Sequence, residues 1–267
     1  MLSKRNNRST RTLILIMIVL VSVALLTAKL HYSRINEGVD PRVVPARLAY
    51  EQYSQKVMEN DYLTVLIVLD SISDIYDNIP YYQNSYEPGV IHINKGATYL
   101  TLGLHIDSLR IVENLGDLGN YTKAGFLNLA EEELNTGITL YKNWLDEYKN
   151  IEPEALQSYI KEDFLSGLKS HSIEEQNYFL ETRVKEIETA QWETDRRLSV
   201  AYTNLGLIFY HRNNFNRAAE LFKSALDLWE DNLNAENNLN SMLGRPLIKR
   251  NFIQKLFPKE RETTDTR

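Results

Sequence analysis

The chain has 267 residues, 43% of them hydrophobic, enough to bury one sizeable core or two small ones. Its 11 Gly and 7 Pro are too few for an all-β or low-complexity protein, and with no Cys it makes no disulfide, thiolate metal site or cysteine nucleophile. The net charge of −6 is unevenly placed: residues 1–34 hold six Lys or Arg and no acid, residues 249–267 hold six against three acids, and the body between them is near −15. Such a body repels phosphate backbones, so no nucleic-acid partner is expected.

Residues 1–12 form a basic tail with Lys4, Arg5, Arg8 and Arg11. From Leu13 to Ala28 there is no charge, and the apolar run reaches Leu30 when Lys29 snorkels to the interface. That length matches a bilayer core, towards its short end. Basic residues tie in number on the two sides (Lys29, Arg34, Arg42 and Arg47 follow), but their density favours a cytoplasmic amino end. Segment 13–30 is therefore read as an uncleaved transmembrane anchor, with the remainder translocated. The competing reading is a signal peptide; Ser22-Val23-Ala24 offers a cleavage site, but one that halves the apolar run.

Residues 31–45, with Pro41 and Pro45, read as a linker. A helical pattern starts at Ala46, with Tyr50, Tyr53 and Val57 on one face, and Asn60-Asp61 breaks it. A second helix runs from Tyr62, with Val65, Leu69 and Ile72 recurring, to Asn78-Ile79-Pro80. YYQNSYEPG reads as a loop, and helix resumes near Ile91 as far as Leu115, with Gly103 as a candidate break. After the turn GDLGNY a long helix is expected from Thr122 to Asn150, and Pro153 opens another. Ser172 and Glu175 have the spacing of a capping box, starting a helix to about Thr194. Leu198–Arg212, Phe215–Trp229 and Leu233–Leu243 follow, the last stopped by Gly244 and Pro246. No sustained alternation occurs, so the predicted class is all-α.

In the stretch AYTNLGLIFYHRNNFNRAAELFKSALDLW, small residues share a helical face with large rings, as closely packed helices require. Tyr202, Leu205, Gly206, Phe209, Ala218, Phe222 and Ala225 fall at the spacing of a helix–turn–helix repeat, with Asn213-Asn214 as the turn. This pair resembles the tetratricopeptide repeat (TPR), with Tyr202 at the family's Trp position and Glu230 where Pro is common. The resemblance implies packing through Gly206 and Ala218, with Phe222 and Ala225 against the helix that follows. Ala235, Leu239 and Leu243 continue the phase as a capping helix, so 199–243 is read as a TPR pair plus cap. Region 46–198 is read as a degenerate array of helical hairpins. In it, GNYTKA resembles a repeat turn but Asn128 and Glu131 break the pattern, and the Tyr50–Ile72 pair fits only with a turn one residue short.

Catalytic spacing is not found. The five histidines, His31, His92, His105, His171 and His211, are scattered and form no HExxH. Glu131, Glu132 and Glu133 point three ways from a helix and read as a solvated face. Ser166-Gly167 lacks a nucleophile elbow, and Gly116 and Gly119 do not make a phosphate loop. Asn120-Tyr121-Thr122 matches a glycosylation acceptor only formally. No catalytic residue, metal or cofactor is expected.

By the resemblance, Thr203, Leu207, Tyr210 and His211 line a partner groove, continued by Asn234, Asn237, Asn238 and Ser241. Clustered amides hold an extended backbone without specifying side chains, and equally suit the polar outer face of a cap. The tail 244–267 mixes Leu247, Ile248, Phe252, Ile253, Leu256 and Phe257 with Lys and Arg. It suits an anionic membrane or, preferably, docking on the acidic body. Anchor and repeat together resemble bacterial accessory proteins of the inner membrane, with one amino-terminal helix and a periplasmic TPR domain. The expected function is a non-enzymatic scaffold for another protein. A chaperone of the secretion channel and a helical ligand-binding domain floored by Tyr81, Tyr82 and Tyr86 are the alternatives.

Overall fold

The structure, a computed structural model, describes residues 38–112 and 116–249. The expected basic tail 1–12, the anchor 13–30 and residues 250–267 of the carboxyl-terminal tail lie outside the described residues. Among the described residues there are nine α-helices and no strand. None of these helices is long and apolar enough to cross a membrane.

Helices α1 (Val44–Glu59) and α2 (Tyr62–Asp77) form a hairpin. Asn60 takes the left-handed conformation (φ 59°), so Asp61 N–H bonds Lys56 O (3.0 Å) and Asn60 N–H bonds Val57 O (3.1 Å). Asp61 then caps α2 by accepting from Thr64 N–H (3.2 Å). The same device joins α7 (Ile173–His211) to α8 (Phe215–Leu228). There Asn213 has φ 58°, Asn214 N–H bonds Phe209 O (2.9 Å), and Asn214 Oδ1 accepts from Arg217 N–H (3.3 Å). Two residues separate α1 from α2 and three separate α7 from α8, and the same pair of bonds closes both turns.

The stretch expected as a loop, YYQNSYEPG, holds α3 (Pro80–Gln83) and the start of α4 (Tyr86–Val112). Pro80 and Pro88 sit in first turns, where a missing N–H costs no helical bond. Helix α4 runs unbroken through Gly103. A 3-10 turn, Gly116–Asn120, precedes α5 (Lys123–Tyr148), capped by Thr122 Oγ1, which accepts from Gly125 N–H (3.1 Å). Helices α6 (Pro153–Ser166) and α9 (Leu233–Met242) complete the set. The break expected after Thr194 is also absent. Residues 193–197 hold no Gly or Pro, and Arg197 clasps Glu193 one turn back at 2.5 and 3.1 Å. The expected boundary at 198/199 therefore falls inside α7.

The chain divides into two compact units. One comprises described residues 38–41 and 156–186. Leu156, Ile160, Phe164, Leu168, Phe179 and Leu180 are buried in it, and the Arg183 side chain lies beside Glu186 (3.2 Å). The capping box forms as read, with Ser172 N–H donating to Glu175 Oε2 (2.8 Å) and Glu175 N–H to Ser172 Oγ (3.3 Å). Val39 and Asp40 are buried and Gly38 abuts Thr182 and Tyr178, so this part of the expected linker is packed.

The second unit, residues 42–155 with 187–249, is built on the antiparallel pair α4 and α5. Gly89, Gly96 and Gly103 recur every seven residues of α4 and form its contact stripe. Added methyl groups would meet Tyr141 Cδ2 at 2.9 Å, Leu134 Cγ at 2.6 Å and Phe126 Cβ at 3.0 Å respectively. From the facing helix, a methyl on Gly137 would lie 3.0 Å from Gly89 O. Each glycine weakens an isolated helix by about 1 kcal/mol relative to alanine, so close backbone approach must offset that cost. Ile93, Leu100, Leu134 and Ile138 pack there with Leu198, Ala201, Leu205 and Ile208 of α7 and Leu221 of α8.

Candidate functional site

The face of interest is set by how α9 is fixed to the α7–α8 hairpin. Within that hairpin, a methyl on Gly206 would lie 2.5 Å from Phe222 Cε1, so the ring fills the space the glycine leaves. Phe222 therefore packs within its own pair. Ala218 and Ala225 are buried beside it. Tyr202 and Phe209 are partly buried against the core, with Lys142 over the first ring and Arg212 over the second.

Asn232 locks α9 in place. Its Nδ2 donates to Ser199 Oγ (2.8 Å) and Thr203 Oγ1 (3.0 Å), while its Oδ1 caps α9 by accepting from Ala235 N–H (3.1 Å). Ser199 Oγ donates to Ala225 O (2.6 Å) and Thr203 Oγ1 to Ser199 O (2.8 Å). All of Asn232's donors and an acceptor are used, as burial demands. Thr203 is consequently buried in this network and does not line a groove. Leu207 is partly buried against the core and offers only an edge. No sequence signal marked Asn232, because an Asn in a turn is ordinarily solvated.

Tyr210 does sit at the surface, with rings of His211 and Phe215 each 5.5 Å from its own. Burial, with a contribution from Lys123, holds the His211 pKa below its usual value. Asn234, Asn237, Asn238 and Ser241 lie three, four and seven residues apart on one face of α9. Asn234 and Ser241 are exposed, and the other two are half-buried. Asn237 is engaged: its Nδ2 donates to Ile248 O (3.0 Å) and its Oδ1 accepts from Ile248 N–H (2.7 Å).

Other polar groups join helices. Arg212 donates to Glu131 and to Asn128 Oδ1 (2.7 Å), so the two residues that break the repeat pattern anchor α5 to α7. Glu133 pairs with His92 Nδ1 at 2.6 Å, leaving Glu132 as the solvated member of the three acids. Tyr82 is fully buried, with its ring centroid 5.4 Å from that of Tyr76 and 5.1 Å from that of Tyr81; Tyr86 packs on Trp144. Tyr82 thus lies in the core, while Tyr81 and Tyr86 are half-buried. Arg197 donates to Tyr141 Oη (2.9 Å), whose pKa burial pushes up to about 12 against the opposing charge of Arg197. Among the described residues no group of His, Cys, Asp and Glu is arranged to hold a metal ion.

No family model, curated protein or solved structure matches the chain.

Proposed function

We propose that the chain is a non-enzymatic scaffold, tethered by segment 13–30 to the bacterial inner membrane, that holds a partner protein on the extracytoplasmic side. The TPR-like hairpin α7–α8 and its cap α9 are the partner-binding part; the preceding helices are the partly degenerate array that supports it. The observation that carries this reading is the Asn237 side chain bonding both main-chain groups of one residue. A surface that grips backbone in this way is suited to receiving polypeptide. Tyr210 and Phe215 beside the hairpin turn add exposed aromatic area of the kind enriched at protein interfaces.

The test places a photo-crosslinking residue at Asn234 or Tyr210 of the full-length chain in its membrane, with Glu132 as the control position. The scaffold reading expects one stoichiometric partner from the first two positions and none from the third. Many weakly captured clients, together with suppressed aggregation of unfolded proteins, would favour the chaperone instead. Protease added from the cytoplasmic side must leave the helical body intact if the proposed topology is right.

A further inference from the structure

We infer that the α9 face around Asn237 is a docking site for the main chain of an extended protein segment with an apolar residue flanked by Lys or Arg, and that the chain's own residues 246–248 are the occupant such a segment displaces. The inference rests on the scaffold reading and specifies its contact. In an extended residue, N–H and C=O point to the same side, so one carboxamide meets both, as a neighbouring strand does. Asn237 makes this pair of bonds to Ile248, at 3.0 and 2.7 Å, and uses nothing of the Ile248 side chain.

Local structure delivers the occupant. Gly244 is left-handed (φ +66°), with Arg245 N–H on Asn240 O (2.8 Å) and Gly244 N–H on Ser241 O (3.2 Å). That is the helix-ending pattern that reverses the chain, and Pro246 then favours an extended course back along α9. The segment lies shallowly: Leu247 is 58% and Ile248 41% exposed. A loosely held internal segment is a competitor, not a permanent part of the core. Asn234, Asn238 and Ser241 continue the polar face beyond the one residue that is clasped. The occupant's own sequence, Leu-Ile-Lys-Arg at 247–250, and the near −15 charge of the body select a basic, apolar partner over an acidic one.

The test uses the full chain in detergent micelles and a fluorescent peptide copying residues 245–254. A second protein ends after Gly244, and melting curves establish that it keeps the fold. Peptide binding is expected to be weak to the full chain and at least about tenfold tighter to the truncated one, as removal of a tethered competitor requires. Asn237→Ala in the truncated protein should abolish that gain. N-methylation at the peptide's Ile248 position should do the same, while exchanging that Ile for Val should not. Equal affinity of the two proteins, unimpaired binding of the methylated peptide, or no binding to the truncated protein would each overturn the inference. A crosslinked partner at Tyr210 in that event keeps the scaffold and discards this contact; no partner at any position discards the scaffold itself.

Discussion

The carbonyl oxygen of Gly89 on α4 lies where a side chain of Gly137 on α5 would have to be: a methyl there would stand 3.0 Å from it and 3.0 Å from the Ile93 nitrogen. The nearest atom, Ile93 Cγ1 at 2.8 Å, belongs to a side chain, but these two are backbone and do not yield by changing rotamer. Gly137→Ala is therefore expected to destabilise by about 1–3 kcal/mol through overpacking, despite alanine's better helix propensity. Thr136→Ala, at the exposed neighbouring position, should be close to neutral. Chemical denaturation of the two variants makes the comparison. A stabilised Gly137→Ala would mean that the helices are not in backbone contact.

A second close approach is side chain to backbone and gives a different signature. Phe222 is 1% exposed and its ring occupies the space over Gly206. Gly206→Ala should cost about 1–3 kcal/mol, and Phe222→Leu should cost stability by leaving a void. Combined, the two changes should cost less than their sum, because the smaller side chain makes room for the methyl group. Strict additivity in a double-mutant cycle would show that the two positions do not share that space.

These two contacts also separate what the sequence discloses from what it hides. Helix ends are local events, so Asn60-Asp61, Asn213-Asn214, Ser172-x-x-Glu175 and Gly244 could be read directly. The spacing around Gly206 was legible because small and large residues alternate within one short hairpin. The stripe of Gly89, Gly96 and Gly103 was not, since glycine in a helical run signals a break by propensity and only the facing helix shows its use. The burial of Thr203 is hidden for the same reason: its hydroxyl is bonded by Asn232, which lies 29 residues away in sequence. Asn237 was legible as one of a row of amides, but its engagement by Ile248 follows from a chain reversal that periodicity does not describe.

Asn232 supplies a third prediction. Asn232→Ala removes a helix cap, worth about 1 kcal/mol, and leaves buried hydroxyls of Ser199 and Thr203 without a donor. The combined loss should be about 2–3 kcal/mol, with hydrogen exchange in α9 accelerated more than in α4 or α5. Asn232→Asp keeps the cap but has no N–H to give, so it should not restore stability. Recovery by the aspartate would reduce the residue's role to capping alone.

Tyr50 tests the polar centre of the larger unit. Its hydroxyl is buried with no hydrogen-bond partner among the described residues. Burial, and then the neighbouring Tyr76, Tyr141 and Glu87, raise its pKa, so the group stays neutral. Tyr50→Phe removes an unsatisfied donor while keeping the ring beside Tyr53, and should leave stability unchanged or raise it by up to about 1–3 kcal/mol. A clear loss in thermal unfolding would reveal that the hydroxyl has a partner, such as a buried water.

His211 carries the pH dependence. Burial first, and Lys123 second, place its folded pKa below the 6.5 of a free histidine. Between the two values the unfolded chain binds more protons than the folded one, so this group's contribution to stability rises with pH across that window. It is fully present above about pH 6.5, where both states are neutral, and lost as pH falls to the depressed folded value. An NMR titration of the imidazole should therefore give a midpoint below 6.5. Lys123→Met should move that midpoint upward by less than half of the shift, because burial is the larger cause. A midpoint at the ordinary value in the unaltered protein would contradict that partial burial. Full restoration by Lys123→Met would instead make charge, and not burial, the dominant cause.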